Sequence, residues 1–228
     1  FLAKDNDSGT HIIDLILDKA KQKGTGKWTS QSAMDLGVSI PTIDSAVSMR
    51  IISSFKDMRK KGEKIYGKFN ISDKSISVED VEKSLLFSFI ISFAQGLSQL
   101  KSASEEKSYN LNFEKICKIW RGGCIIRAKL LENFMNAYRK DKNLENLLFD
   151  EGISKIINSV VSSSRKVSIY CINNQIPAQG LLSSISYFDS LKTGRLPMNL
   201  VQAQRDCFGE HTFERIDKEG TFHYDNWQ

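Results

Sequence analysis

The sequence contains few residues that break helices. Only three prolines occur among its 228 residues, at Pro41, Pro177 and Pro197, so long stretches lack an obligatory helix breaker. A β-sandwich shows turn signals about every 8 to 12 residues, and the scarcity of proline therefore favours helix. The chain is 40% hydrophobic and 26% charged, a mixture that excludes an intrinsically disordered protein.

Cysteine and histidine are also scarce. The cysteines are Cys117, Cys124, Cys171 and Cys207, and the histidines are His11, His211 and His223. No C-x-x-C pair occurs, which excludes a disulfide framework and a zinc site of the usual ligand spacing. We interpret the cysteines as reduced thiols, most of them buried.

Long hydrophobic runs are missing too. The longest apolar stretch, residues 85–97, is interrupted by serine, glutamine and glycine and is too short to span a bilayer. The chain turns polar directly after Ala3, which predicts no signal peptide, and its start at Phe1 predicts a processed or partial chain. Together these features predict a cytoplasmic protein without membrane contact. The net charge of +5 suits an anionic ligand, but the surplus is too small and dispersed for nucleic acid.

Hydrophobic spacing predicts an all-α protein with about eight to ten helices. The longest begins at Ser77, is apolar nearly all round, and is therefore expected at the centre of the core. The expected helices cover residues 12–17, 29–36, 41–61, 77–104, 110–120, 124–140, 143–149, 151–174, 178–191 and 199–208. Residues 62–74 are polar and basic and are expected to form a surface loop. The last twenty residues show no clear period and are expected to form a tail that packs on another surface. No βαβ pattern occurs, which excludes a dinucleotide-binding sheet in these residues.

Residues 23–29 combine two glycines with lysines and hydroxyls, the residue types that bind an anion through backbone N–H groups. The segment is not a Walker A loop, because Lys21 stands five residues before Gly26 and Trp28 follows Lys27. Two interpretations are open: a helix-to-helix turn with solvated lysines, or a phosphate or carboxylate site of another kind.

Of three other segments, two also allow two interpretations. Arg50 lies in an apolar helical stretch, where it either snorkels to the surface or pairs with an anion. Gly122 and Gly123 lie between two expected helices and would permit close helix packing. Arg205 and His211 flank a glycine turn. Either both are ordinary surface residues, or both face one phosphate, to which a guanidinium can donate two hydrogen bonds in a bidentate geometry.

These segments carry a family resemblance. Lys-Gly-Thr-Gly-Lys-Trp-Thr at 23–29, Trp-Arg-Gly-Gly-Cys-Ile-Ile-Arg at 120–127 and Gln-Ala-Gln-Arg-Asp-x-Phe-Gly-x-His-Thr at 202–212 resemble motifs of the decarboxylating 6-phosphogluconate dehydrogenases. The resemblance implies an all-helical substrate-binding and dimerisation domain over residues 1–198, truncated at its start. It also implies a tail over residues 199–228 that enters the partner subunit of a homodimer, and an NADP-binding Rossmann domain that is not in this chain.

The family's reaction is the oxidative decarboxylation of 6-phosphogluconate to ribulose 5-phosphate and CO2 with reduction of NADP, in the pentose phosphate pathway and without a metal. The resemblance implies that its catalytic lysine and glutamate lie upstream, so that this chain contains no catalytic residue and is inactive alone. Lys23, Thr25 and Arg50 match substrate-binding residues. Arg205 and His211 match tail residues that enter the partner's active site. The alternative is a catalytically inactive, stand-alone interaction module of the same fold.

Overall fold

The structure is a computed structural model that describes residues 2–69, 71 and 75–227. In this part of the chain the helices are α1 (Ile12–Leu15), α2 (Thr25–Asp35), α3 (Pro41–Ser54), α4 (Lys56–Tyr66), α5 (Val78–Glu106), α6 (Phe113–Gly123), α7 (Leu131–Lys140), α8 (Glu151–Asn173), α9 (Gln179–Leu191) and α10 (Met198–Gly209). A 3-10 turn, Leu147–Phe149, precedes α8, and β1 (Phe213–Glu214) pairs antiparallel with β2 (Thr221–Phe222). The predicted all-α class is confirmed.

The chain divides into two compact units, Phe1–Tyr187 and Phe188–Gln228. The first unit contains the long helices, and the second contains α10 and the two short strands. The sequence predicts a domain boundary after residue 198, at the start of α10. This position lies further along the chain than the division between the two units, and the predicted boundary stays a prediction.

The first unit is organised around α5, which packs mainly against α8. Ser77 caps α5 by accepting a hydrogen bond from the Asp80 N–H at 3.1 Å. The Asp80 carboxylate then accepts hydrogen bonds from Ser163 at 2.9 Å and Lys166 at 2.6 Å, both on α8. The apolar core of α5 comprises Phe87, Ile90, Ile91, Ala94 and Leu97. The predicted long, buried helix beginning at Ser77 is confirmed.

Two glutamines on α5 orient the helices that carry the predicted phosphate ligands. The buried Gln95 side chain accepts a hydrogen bond from the Thr42 N–H and donates one to the Thr42 hydroxyl, each at 3.0 Å. It thus caps α3, whose N-cap residue Ile40 makes no side-chain cap of its own. Gln99 donates to the Thr29 carbonyl of α2 at 2.9 Å. The positions of α2 and α3 therefore depend on α5.

The N-terminal helices differ from the prediction in their bounds. α2 begins at Thr25 rather than at Thr29 or Ser30, because Gly24 adopts a left-handed conformation (φ 101°) and takes the N-cap position. The helix predicted over 41–61 is interrupted at Phe55, where Arg59 donates to the Ser53 carbonyl at 3.0 Å and satisfies an acceptor at the end of α3.

Further along, α4 continues to Tyr66 into a segment predicted as a loop over 62–74. Of that predicted loop, residues 70 and 72–74 lie outside the described residues.

The segment around the second motif also differs. α6 includes Gly122 and Gly123, and α7 begins only at Leu131, after an irregular stretch over 124–130. A Cβ added at either glycine would meet no atom of the described residues within 4 Å. The interpretation that these glycines allow close helix packing is therefore wrong.

We expect Gln95→Leu to destabilise the chain, because it leaves the buried Thr42 N–H without its acceptor. An unsatisfied buried donor costs about 1–3 kcal/mol, a loss that urea unfolding followed by circular dichroism would measure. Gln31→Leu, an exposed glutamine on α2, is the matched control and should change stability by less than about 0.5 kcal/mol. Equal effects of the two substitutions would contradict the capping role of Gln95.

Candidate functional site

The segment that precedes α2 is anchored at its beginning by an acidic residue. Asp18 accepts hydrogen bonds from Lys56 at 2.5 Å and from Arg59 at 2.8 Å, both on α4. Hydrogen bonds from Arg59 and then Lys56 hold the pKa of Asp18 well below its usual range. The segment is therefore tied to α4 by an ion pair that persists at neutral pH.

The same segment is tied to α3 closer to the first motif. Ser53 accepts a hydrogen bond from the Ala20 N–H at 2.9 Å, and the Arg50 guanidinium donates to the Lys21 carbonyl. Arg50 thus lies against the backbone two residues before Lys23. The structure brings Arg50 to the loop that carries Lys23, as a shared anion site requires.

The N-terminus of α2 presents backbone donors to solvent. No side chain caps its first turn, so its N–H groups and the positive end of the helix dipole are available to an anion. Thr25 is the first residue of this helix and is exposed, as are Lys23 and Arg50. A Cβ at Gly26 would approach Val47 of α3 to 3.0 Å, so glycine allows the two helices to lie close together here.

Arg205 and His211 lie in the second unit, and both are exposed. Arg205, on α10, donates to the Gln202 side-chain oxygen at 3.1 Å. The His211 ring lies over Gly209, where an added Cβ would come within 3.1 Å of it. Arg205 and His211 therefore lie at the end of one helix and in the turn that follows it.

A buried carboxylate organises this unit. Asp206 is fully buried and accepts hydrogen bonds from the Thr212 N–H (2.8 Å), His223 Nδ1 (2.9 Å), the Tyr224 N–H (3.1 Å) and Trp227 Nε1 (2.9 Å). Burial alone would raise its pKa, but the hydrogen bonds from His223, Trp227 and the backbone outweigh it and lower the pKa to about 2. The hydrogen bond to Asp206 raises the pKa of His223.

Aromatic rings pack against one another in the same unit, and one of them, Trp227, also binds Asp206. The rings of Phe213 and Trp227 lie 6.0 Å apart, those of Tyr224 and Trp227 5.3 Å, and those of Phe213 and Phe222 6.4 Å. The tail thus makes contacts of its own around a polar centre, and the expectation that it packs on another surface stays a prediction. Sequence reasoning missed Asp206 because its partners carry no periodic pattern.

Two grooves of the first unit have a different chemistry. They have volumes of about 440 and 580 Å³ and are lined mostly by apolar side chains of α5 and its neighbours, including Leu85, Phe89 and Trp120. None of the predicted site residues lines either groove. Neither groove therefore brings together the residues that the sequence predicts to bind an anion.

The described residues contain no cluster of three or more His, Cys, Asp or Glu side chains that could hold a metal. Among the same residues, no helix combines the length and hydrophobicity needed to cross a membrane.

Comparison with known proteins gives one consistent result. Residues 1–227 match the family model described as "6-phosphogluconate dehydrogenase, C-terminal domain". The chain is 48% identical over 225 residues to "6-phosphogluconate dehydrogenase, decarboxylating" from Lactococcus lactis subsp. lactis, covering 97% of this chain and 48% of that protein. It is 45% identical over 227 residues to the enzyme from Bacillus subtilis named NADP(+)-dependent and decarboxylating, covering 98% of this chain and 48% of that protein.

A solved structure agrees with these sequence matches. Plasmodium falciparum 6-phosphogluconate dehydrogenase, described in its apo form and in complex with its cofactor NADP+ and its substrate 6-phosphogluconate, has a TM-score of 0.93 and 42% identity. The match covers 97% of this chain and 49% of that chain. The chain spans about half the length of the curated relatives it matches.

We expect the His223 imidazole to titrate above its ordinary pKa of 6.5, as measured by NMR. Because folding raises this pKa, the pairing with Asp206 stabilises the tail fully below pH 6.5 and is lost as the pH rises through the folded-state pKa. Asp206→Asn should lower the pKa of His223, whereas Asp217→Asn, at an exposed aspartate paired with Arg215, should not. A wild-type pKa at or below 6.5 would exclude a charged pair.

Proposed function

The chain belongs to the 6-phosphogluconate dehydrogenase family, as its C-terminal domain, and from this membership we propose its function. It is the substrate-binding and dimerisation part of an enzyme that oxidatively decarboxylates 6-phosphogluconate to ribulose 5-phosphate and CO2 with reduction of NADP. The alternative, an inactive interaction module, is not favoured, because the relatives compared above are named as enzymes.

The observation that carries the proposal is the uncapped start of α2 with Lys23, Thr25 and Arg50 beside it. A phosphate monoester carries close to two negative charges at neutral pH, about −1.5 to −2. Lys23 supplies a mobile positive charge, Thr25 a hydroxyl donor, and the uncapped first turn supplies backbone donors. Arg50 adds a planar guanidinium, which its bond to the Lys21 carbonyl already directs towards this loop.

Binding the phosphate here would support the oxidation at C3, which lies three carbons away from the carbon that carries the phosphate. When the phosphate is held by several groups, the carbon chain is restricted to few orientations, and part of the entropic cost of reaching the transition state is met by binding. Lys23, Thr25 and Arg50 therefore act in this proposal by positioning the substrate. The proton transfers belong to residues outside this chain.

NADP is assigned to the part of the full-length protein that lies outside this chain. The only sheet in the described residues is the two-stranded hairpin of β1 and β2, which does not fit a dinucleotide. The coenzyme is accordingly expected to be bound mainly outside these residues.

We further propose a homodimer in which the tail serves the active site of the partner. Leu200 and Phe208 lie eight residues apart on α10, about two helical turns, and are 73% and 82% exposed. Large apolar side chains exposed on one helix would be covered if that helix docked on another surface. Arg205 and His211 come from the same helix and the turn after it, so docking α10 on a second copy would deliver both to that copy's substrate.

We expect Lys23→Ala to weaken the binding of 6-phosphogluconate to this chain by at least about tenfold, the low end for losing a charge-assisted contact. Calorimetric titration of the substrate into the wild type and the variant measures this. Lys118→Ala, at an exposed lysine of α6, is the matched control. Equal affinities of Lys23→Ala and the wild type would remove Lys23 from the site.

In the full-length enzyme, we expect Arg205→Ala to raise the KM for 6-phosphogluconate and to leave the KM for NADP nearly unchanged. The loss corresponds to about 1.5–3 kcal/mol for a hydrogen bond to a charged group. Arg215→Ala removes an exposed arginine of the same unit that pairs with Asp217, and it should leave both constants unchanged. Steady-state kinetics with each substrate varied separately distinguishes these outcomes, and an unchanged substrate KM would refute the role of Arg205.

A further inference from the structure

Two side chains of α10 hold the same residue of the following turn. Gln202 donates through its amide nitrogen to the Thr212 carbonyl, and Asp206 accepts from the Thr212 N–H at 2.8 Å. Gln202 and Asp206 are four residues apart and therefore lie on one face of the helix. Both backbone polar groups of Thr212 are thus bound by side chains of α10, which fixes the turn against the helix.

This attachment determines where His211 lies. The residues on either side of it, Glu210 and Thr212, both have left-handed backbone conformations, with φ of 50° and 60°. Such conformations are uncommon outside glycine and persist where the surrounding contacts impose them. The Asp206 hydrogen bond to the Thr212 N–H is such a contact. Without it, the turn would relax and the His211 imidazole would lose its place over Gly209.

Gln202 also acts on the arginine. Its amide oxygen accepts the hydrogen bond from Arg205 at 3.1 Å, while its amide nitrogen donates to the Thr212 carbonyl. One amide group therefore contacts both the Arg205 guanidinium and the turn that carries His211. A guanidinium held in this way loses less side-chain freedom when it binds an anion than a free one does.

The far end of the chain supports the same carboxylate. His223 and Trp227 donate to Asp206 from beyond the hairpin of β1 and β2, at 2.9 Å each. Asp206 is consequently satisfied on both oxygens, so its side chain has one orientation in which to hold Thr212.

We propose that Gln202 and Asp206 are positioning residues, which set Arg205 and His211 in the relative geometry that the substrate requires. This inference rests on the proposed function and deepens it. According to this proposal, the tail recognises the substrate through the hydrogen-bond network of Gln202 and Asp206 as well as through Arg205 and His211. Neither Gln202 nor Asp206 touches the substrate in this proposal.

The test uses the full-length enzyme with Gln202→Ala and Asp206→Asn. Each variant should raise the KM for 6-phosphogluconate by about fivefold to tenfold, less than the loss of the arginine itself, with the KM for NADP unchanged. The matched controls are Asn199→Ala, at an exposed amide in the first turn of α10, and Asp217→Asn, at an exposed aspartate of the hairpin. Both controls should keep wild-type constants.

A purely structural role is separated from positioning by double variants. If Gln202 acts through Arg205, then Gln202→Ala should raise the substrate KM much less in an Arg205→Ala background than in the wild type. The same comparison pairs Asp206→Asn with His211→Ala. Should Asp206→Asn unfold the tail, as thermal unfolding would reveal, the Gln202 cycle decides the matter, because Gln202 is only half-buried.

The outcomes separate the two proposals. A full-length wild type that does not reduce NADP+ in the presence of 6-phosphogluconate would overturn the proposed function and this inference with it. An active wild type in which Gln202→Ala leaves the substrate KM unchanged would overturn the positioning role alone. Fully additive effects of Gln202→Ala and Arg205→Ala would also overturn it, because they would show that Gln202 does not act through Arg205.

Discussion

The burial of α5 is the constraint on which the first unit depends. Its apolar residues are sequestered against α8, and a polar residue placed among them must find a partner or cost free energy. Gln95 finds its partner in Thr42 at the start of α3, and Gln99 in Thr29 of α2. The need to satisfy two core amides therefore fixes the helices that carry Arg50 and Thr25, far along the sequence from α5.

In the second unit, the buried polar group that must find hydrogen-bond partners is a carboxylate. A buried carboxylate is tolerated only where hydrogen bonds replace its lost water, and Asp206 receives four of them from the described residues. In a segment too short for a large apolar core, the requirement to satisfy this one charge orders the turn, the hairpin and the last residues. The proposed docking of this tail on a second subunit would gain from such order, since a preorganised surface loses less entropy on docking.

Local patterns explain which elements could be predicted. The long helix from Ser77 was recognisable because its cap, first-turn acids and apolar run all agree, and the structure shows that helix beginning at Val78. The start of α2 was misplaced because Gly24 and Gly26 resemble a loop until Val47 of α3 is seen lying against Gly26. The break at Phe55 was missed because Arg59, which donates to the Ser53 carbonyl there, is held by Asp18, a residue distant in sequence.

By itself, the sequence determined the helical class and, through three motifs, the family. It also predicted an anionic ligand and five residues that would bind the substrate. These properties reside in residue types and spacings. Only the tertiary structure decided that Arg50 contacts the loop before Lys23, and that Gln202 and Asp206 hold the turn carrying His211. Such contacts join residues that are distant in sequence or that follow no regular spacing. Which partner a buried polar group binds is decided only when the chain has folded around it.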